Sequence, residues 1–471
     1  MGYTKRFLKT ASVYFFGNAF TKIASFLLLP LYTSRISPEE YGVYGLSVTI
    51  INAMIPVFFF TIWDGVFRFA FDATGSDRQK VFANGFWIML FGAFFYTLGF
   101  FIFRSFVNFE HAWLILIFSL MTGVQYFYTV LARGNRNNTL FSISGCANSL
   151  LSFILNIILI VGFQMGVESL YISYISGVLL QIIMIESKIR FLFHFSIKQY
   201  DFRLAFAMLR FSAPIAISST SNWLLNGLTQ VFITDQLGAY SNGLYTVVMK
   251  FSTVIILVIG VFQFAWYELA YDLANNENRK TYYRRSISMI LKLSLAGLSF
   301  LLIIIKLGYP IIVNEQYAES LQIVPPLLFG TMANTYAGFL GTLFLAEKKP
   351  LIMSVTTVVA GLINVVGLQV FVPLWGLLGA AISLSLAFVS YAVIRLVLLY
   401  KKQGIAPEID NGLGLIILAI YWVLFYMLQT PQAIILSLLA LMFMVCWYLK
   451  KEILFFRQIT RQTFSRKGIQ S

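Results

Sequence analysis

Apolar residues run along this chain in blocks of about 20, and short charged clusters separate them. A block of that length crosses a hydrocarbon core roughly 30 Å thick as a helix. Lipid offers backbone groups no hydrogen-bond partner, so the spans are expected to be helices rather than open strands. The short alternating segments of a membrane β-barrel are not found. The pattern predicts fourteen spans, near 11–32, 42–62, 82–103, 112–132, 140–162, 169–187, 211–233, 243–265, 287–306, 322–345, 351–371, 377–399, 412–429 and 433–449. The second can run on to Asp72 and the eighth to Asp272. Lys5, Arg6 and Lys9 precede the first apolar run as in a secretory leader. That run reaches from Ala11 to Tyr32, too long for a leader core, and no small-residue cleavage site follows it, so it reads as a permanent span.

Between the first two spans lies a wet corner, "LPLYTSRISPEEYGVYGLSV" at 29–48, and "VFITDQLGAYSNGLYTVV" returns at 231–248. An ungapped shift of 201 residues aligns Thr33 with Thr234, Ile36 with Leu237, and Gly42-Val43-Tyr44 with Gly243-Leu244-Tyr245. "RFAFD" at 68–72 and "ELAYD" at 268–272 match at the far ends, one residue off in register. Spans 1–2 and 7–8 therefore read as copies of one hairpin. Six spans separate the copies, so both point the same way, as a parallel repeat about an axis along the membrane normal. The expected organisation is an N-terminal lobe at 1–200, a C-terminal lobe at 201–400, and two extra spans with a basic tail at 401–471. Two lobes in one chain imply a central cleft and alternating exposure. A channel would need a filter-like loop, and none is seen.

Composition agrees. Hydrophobic residues make up 59% of the 471 and charged ones 11%, against about 25% charged in soluble proteins. The net charge of +15 follows from topology. With the N-terminus inside, the lysines and arginines fall in internal loops, internal helix ends or the tail, except Arg35, Arg104 and Lys306, and except Lys22, Arg68 and Lys250 within spans. Positive residues are retained in the cytoplasm during insertion, so both termini are expected there and the corner at 33–41 outside. A basic patch for anionic lipid is the other reading of the same charges. Cys146 and Cys446 lie in apolar blocks, so there is neither a disulfide framework nor metal-ligand spacing. His111 and His194 stand alone, and no phosphate-binding GxxxxGK[ST] loop occurs.

The segment "RFSAPIAISSTSNWLLNGLTQVFITDQLGAYSNGLYTVVMKFSTVI" at 210–255 resembles the corresponding region of bacterial polysaccharide flippases. So do "GNAFTKIASFLLLPLYTSRISPEEYGVYGL" at 17–46 and "LARGNRNNTLFSISGCANSLLSFILNIILI" at 131–160. These belong to the multidrug/oligosaccharidyl-lipid/polysaccharide (MOP) exporter superfamily. The resemblance implies an all-α integral membrane protein whose two six-helix lobes flank a cleft, in the bacterial plasma membrane. It also implies a transporter rather than an enzyme. Its cargo would be an undecaprenyl-diphosphate-linked oligosaccharide repeat unit for capsule, O-antigen or exopolysaccharide. A polymerase and a chain-length regulator of the same pathway are the implied partners, and Na+ or H+ the coupling ion. Rival readings are a multidrug antiporter, a flippase for the peptidoglycan precursor, and a membrane-embedded glycosyltransferase. The cationic interior counts against the first, the few cations on spans 1, 2 and 8 against the second, and the short outer loops against the third.

Charges within spans cost roughly 2.5–3.5 kcal/mol each on insertion scales and so tend to face water or partners. Lys22 lies halfway along span 1, with Tyr14, Asn18 and Ser25 on its face. It is expected to meet a diphosphate or an acidic sugar, or else to pair with Asp64. Lys250 contacts substrate or snorkels to the interface. Asp64 and Arg68 are four apart and can pair with each other. Asp64 is also the first choice for an ion-coupling or gating carboxylate, with Glu268 the alternative. Amides recur at i, i+4, i+8 as Asn222, Asn226 and Gln230 on span 7 and as Asn148, Ser152 and Asn156 on span 5, while span 4 offers Gln125 with Tyr128. Amides both donate and accept, which suits sugar hydroxyls, and interhelical bonding is the alternative. Trp63, Trp266 and Trp375 are expected at the interfaces. Pro56, Pro214 and Pro325-Pro326 are expected to bend or break spans 2, 7 and 10.

Overall fold

The structure, a computed structural model, describes residues 23–106, 110–196, 199–272, 279–347, 349–407 and 411–427. Every regular element among them is helical. The wet corner is tighter than expected. Helix α1 (Leu29–Arg35) gives way after two residues to α2 (Pro38–Phe59), which starts four residues before the predicted Gly42. The Ser37 hydroxyl accepts from the Glu40 amide while the Glu40 carboxylate accepts from the Ser37 amide, a reciprocal cap. Pro38 fills the first helical position, where its missing N–H costs nothing. Glu39 and Glu40 stand in the first turn, where the helix dipole favours negative charge. The acidic corner is thus a helix start rather than a loop.

Helix α2 passes through Pro56 and stops at Phe60 and Thr61, both left-handed at φ 52° and 45°. The chain resumes as α3 (Ile62–Asp72). There follow α4 (Gly75–Phe106), α5 (Ala112–Gly134), α6 (Asn138–Ile157, extended by a π-helical turn at Ile158–Gly162) and α7 (Glu168–Ile189). Helix α8 (Phe202–Asp272) holds Pro214 and is two spans joined at Gly238, whose φ of 84° no other residue type adopts as readily. Then come α9 (Arg279–Ile312), a 3-10 segment (Glu315–Ile323) and α10 (Val324–Ala346). Helix α11 (Pro350–Gln403) is again two spans, joined at Gly376 with φ 55°, and α12 (Asn411–Met427) closes the described chain. Seven helical stretches among the described residues are long and apolar enough to cross a membrane. Twelve of the fourteen expected spans have a helical counterpart among the described residues; the first, 11–32, is described only from residue 23, and the last, 433–449, lies outside them. Pro325 and Pro326 do not break span 10. They occupy the first turn of α10, where proline is well suited.

The chain forms two compact units, residues 1–250 and 251–471. In the first, α7 packs on α5 and α6, and α3 packs on α4 and α5. The 202–237 arm of α8 lies along α2 and α3. Ser212 receives the Gly65 amide at 3.0 Å and gives its carbonyl to the Thr61 hydroxyl. Farther along, the Trp223 indole donates to the Thr49 carbonyl at 2.6 Å. This packing explains why the compact unit extends to 250 although the repeat suggests a division near 200. In the second unit α10 packs on α11, and α9 packs on α10 and α12. Trp266 is buried, not interfacial, because its indole donates to the Phe339 carbonyl at 2.9 Å. Trp375 is exposed and stacks on Phe371. Trp63 stacks on Tyr126 with ring centres 4.6 Å apart. Arg395 is fully buried, donates to the Ala337 carbonyl at 2.6 Å and to the Thr356 hydroxyl, and lies over the Tyr391 ring. Lys306 donates to the Phe425 carbonyl at 2.7 Å, which ties α12 to α9.

Candidate functional site

The two copies of the repeated corner meet each other. A Cβ added to Gly42 would run into the Ala239 carbonyl oxygen, and one added to Gly243 would run into the Pro38 carbonyl oxygen. Shifting 38 and 42 by 201 gives 239 and 243, so the contact is reciprocal, as a local two-fold axis requires. Gly45 abuts the side chain of Thr246, its own equivalent under the same shift. Thr33 and Thr234 both return their hydroxyls to the carbonyl four residues back, Leu29 and Gln230. The axis therefore runs between α2 and the 239–250 segment of α8, where small residues let the backbones touch.

Polar groups gather beside this crossing. Gln230 accepts from the Thr49 hydroxyl and donates to the Thr246 hydroxyl at 3.0 Å. Asn242 donates to the Gly42 carbonyl at 2.7 Å. Lys250, half-buried, follows Thr246 by one turn on the same face, and its repeat equivalent is Thr49. Asn226 lies one turn from Gln230 on the 202–237 arm and is exposed. Asn222 lies on the same arm, and its side chain is outside the described residues. Gln230 stands in this network, while Asn226 and Lys250 each lie one turn from one of its members. Thr246, which the sequence places on the Lys250 face, joins Gln230 there, and the neighbouring Thr49, Asn242 and Trp223 were not singled out from the sequence. The signal for Asn242 was available, since it falls in the repeat.

A second polar group forms a seam through α5, α6 and α7. Gln125 and Asn148 both donate to the Gln181 side-chain carbonyl, at 2.8 and 3.0 Å. The Tyr174 hydroxyl donates to Gln125 and contacts Thr122. Ser152 bonds Asn148 and the Ser173 carbonyl, and Asn156 donates to the Ser152 carbonyl. The structure therefore places Asn148 in interhelical bonding, whereas Asn156 bonds back within its own helix. Asn156 is buried, and its side-chain oxygen finds no hydrogen-bond partner among the described residues. Gln181 and Tyr174, the hubs of the seam, were missed in the sequence. Their spacing of seven, with Gly177 between them, was the signal.

A third group lies on α3. Arg68 does not pair with Asp64 but with Asp72, the carboxylate one turn farther on, and both partners are exposed. Asp64 instead lies within electrostatic reach of Arg133, whose guanidinium stacks over Phe67 at 4.5 Å. Ser25 is half-buried in the helical turn before α1. Glu268 belongs to α8, with its side chain outside the described residues, as are Lys22 and Asn18 altogether. His111 is not alone but approaches the Glu168 carboxylate at 3.5 Å. Among the described residues no group of three or more His, Cys, Asp or Glu could hold a metal ion.

The fold has solved counterparts. The lipid II flippase MurJ in an inward closed conformation is similar with TM-score 0.68 and 16% identity, over 96% of this chain and 100% of that one. An inward-facing multidrug resistance MATE family transporter of the MOP superfamily is similar with TM-score 0.66 and 15% identity, over 85% and 95%. A MOP superfamily transporter from Pyrococcus furiosus, whose binding pocket has reversed polarity, is similar with TM-score 0.57 and 13% identity, over 88% and 95%. No curated protein matches the chain significantly by sequence alone. The family profile described as polysaccharide biosynthesis protein matches residues 7–267. The chain is a multi-pass membrane protein with the MOP transporter fold, and it belongs to the polysaccharide biosynthesis protein family.

Proposed function

We propose that the chain is a flippase that moves an undecaprenyl-diphosphate-linked oligosaccharide repeat unit from the cytoplasmic to the outer leaflet by alternating access. The observation that carries this reading is the family match, because polysaccharide biosynthesis on a lipid carrier requires such a step, and the fold is one that a lipid II flippase shares. The reciprocal crossing at Gly42 and Gly243 supports it, since paired repeats that touch at one end can part there while closing at the other. Lys250, Asn226 and Arg68 are assigned to the headgroup path, with Lys22, Asn18, Ser25 and Asn222. A lysine near the axis lowers the cost of moving a diphosphate through the hydrocarbon depth. Asn148 and Asn156 would serve the same path through their seam.

Asp64 is the gating or ion-coupling carboxylate in this reading, with Arg133 as its electrostatic partner and Na+ or H+ as the ion. Glu268 is the alternative. No bond is made or broken, so the protein acts as a transporter and not as an enzyme. Both termini lie in the bacterial cytoplasm, and a polymerase and chain-length regulator take the product on the other side. The test deletes the gene in its host and follows surface polysaccharide and lipid-linked intermediates. Loss of polymer with lipid-linked repeat units accumulating inside supports the reading. Unchanged polymer together with lost drug resistance would favour the multidrug antiporter, and arrested cell-wall synthesis would favour peptidoglycan precursor export.

A further inference from the structure

Helices α3 and α5 meet along a ladder of rings. Trp63, Phe67 and Phe71 stand at i, i+4 and i+8 on one face of α3. Tyr126, Thr129 and Arg133 follow one another on α5 at spacings of three and four, with Arg136 just beyond its end. The Tyr126 ring stacks on Trp63, with ring centres 4.6 Å apart and planes 29° apart. The Arg133 guanidinium lies over Phe67 at 4.5 Å, and Arg136 lies over Phe71 at 5.6 Å. The two helices therefore advance in step, and the innermost rung is a pair of rings rather than a ring and a cation.

An anchor at the membrane surface does not explain that rung. Tyr126 lies about 12 Å along α5 before its end at Gly134. It is 39% exposed although Trp63 covers one face of its ring. Neither the Tyr126 hydroxyl nor the Trp63 indole N–H has a hydrogen-bond partner among the described residues. Against acyl chains each would forfeit its bond. Thr129, one turn on, is half-buried, and its hydroxyl donates to the Tyr126 carbonyl at 2.8 Å, which leaves its oxygen able to accept. The rung thus joins a ring to two donors and an acceptor within one turn.

The charges nearby decide which ligand fits. Asp64 follows Trp63 in the chain and lies within electrostatic reach of Arg133, and Arg68 pairs with Asp72. Carboxylates and guanidinium groups balance there, so the rung draws neither a diphosphate nor a lipophilic cation by net charge. A sugar ring needs no such charge. Its C–H bonds carry partial positive charge and sit well on the negative face of an aromatic ring. Its hydroxyls accept from the indole and phenol and donate to Thr129.

We infer that Tyr126 is a sugar-stacking platform on the headgroup path, taking a hexopyranose ring of the cargo rather than its diphosphate, with Trp63 as the positioning residue that fixes the Tyr126 ring. The inference rests on the reading of the cargo as a lipid-linked oligosaccharide and adds the contact by which its sugar is recognised.

The experiment uses the full chain in nanodiscs of phosphatidylethanolamine and phosphatidylglycerol, with polyprenyl-diphosphate-linked N-acetylglucosamine that carries a diazirine on the acetyl group. Peptides containing Trp63 or Tyr126 are expected to carry the label, and excess unlabelled glycolipid should reduce it at least fivefold. Tyr126→Leu should reduce labelling comparably, while binding of sugar-free polyprenyl diphosphate, followed by native mass spectrometry, stays within twofold. Tyr126→Phe keeps the ring and should retain more than half of the labelling. Trp63→Leu should weaken capture of the sugar-linked probe severalfold and leave the sugar-free carrier unaffected, a split that loss of helix packing would not produce. Absent labelling, labelling confined to other helices, equal loss of both lipids in Tyr126→Leu, or displacement by tetraphenylphosphonium but not by the glycolipid would overturn the platform. If surface polysaccharide still depends on the chain in those cases, the export reading stands without it. Labelling as expected in a chain whose deletion leaves surface polysaccharide unchanged would sustain the platform and overturn the export reading.

Discussion

Gly42 and Gly243 lie backbone to backbone, so that a carbon added to Gly42 would stand 2.8 Å from the Gly243 amide nitrogen. The same carbon would collide with the Ala239 carbonyl oxygen, a backbone atom that cannot swing aside. Forcing one carbon into such a contact costs typically 1–3 kcal/mol. Gly42→Ala and Gly243→Ala are therefore expected to lower the melting temperature of the purified protein, each by a similar amount because the contact is reciprocal. Gly297→Ala is the control. Nothing lies within 4 Å of the added carbon there, and alanine is the better helix former, so its melting temperature should hold or rise.

The seam through α5, α6 and α7 predicts a different signature. Gln181 holds two helices through one side-chain oxygen. Interhelical hydrogen bonds within membranes average about 0.6 kcal/mol each. Gln181→Leu would remove both and leave Gln125 and Asn148 short of an acceptor. A loss of about 1–2 kcal/mol in unfolding free energy is expected in detergent denaturation. Asn148→Ala should cost less, because Gln125 keeps its bond to Gln181.

Much of this architecture was readable from spacing. Apolar blocks mark spans because lipid leaves the backbone no other conformation, and the match of Thr33 to Thr234 marks the repeat because both copies meet the same packing problem. The helix starts four residues earlier than the apolar pattern predicts, and Ser37-Pro38-Glu39-Glu40 carries the signature of that start. Acidity there reads as a loop until the carboxylate is seen to cap. Arg68 pairs with the carboxylate on its other side, since Asp64 and Asp72 both stand four residues from it and spacing cannot choose between them. Arg395 reads from its charge as a cytoplasmic helix end, and Trp266 reads from its residue type as an interface anchor. Each instead finds a backbone carbonyl on α10, a partner that only the folded chain supplies. The Gly45–Thr246 contact and the Gln181 hub depend on long-range packing, which periodicity within one span does not encode.

The reciprocal cap offers a local measurement. Ser37→Ala removes the acceptor for the Glu40 amide, and Glu40→Ala removes the acceptor for the Ser37 amide. Losing a cap costs typically about 1 kcal/mol. Both variants are expected to destabilise by that order, with the double variant less than additive because the two bonds form one unit. Hydrogen exchange should rise at the amides of residues 37 and 39–41 and stay unchanged in α4.

The ionic groups of α3 should separate by exposure. Arg68 and Asp72 pair at the surface, with side chains 54% and 65% exposed. Such pairs contribute little, so Asp72→Asn should leave the melting temperature within about a degree. Asp64 is half-buried and lies within electrostatic reach of the Arg133 guanidinium on another helix. Asp64→Asn keeps the shape but removes the charge. If Asp64 gates or couples transport, export falls severalfold at normal protein abundance and its dependence on external Na+ or pH flattens. Full export with an unaltered ion dependence would transfer that role to another group, Glu268 being the next to test.

Lys250 carries the most direct prediction about the path. It follows Thr246 by one turn beside the Gly42–Gly243 crossing, and alanine there would remove a cation without touching the glycine contact. Lys250→Ala is expected to reduce surface polysaccharide at least tenfold at normal protein abundance and melting temperature. Lys250→Arg should restore part of it, because the charge is kept while the point-like ammonium is replaced by a planar fork. Lys22→Ala should act in the same direction if both lysines serve the diphosphate, and the double variant should fall below either single one. Asn226→Ala removes a donor and an acceptor but no charge, so a milder loss is expected, one that varies with the sugar. A Lys250→Ala strain with full export would remove this lysine from the path and leave it a packing residue of the α2–α8 crossing.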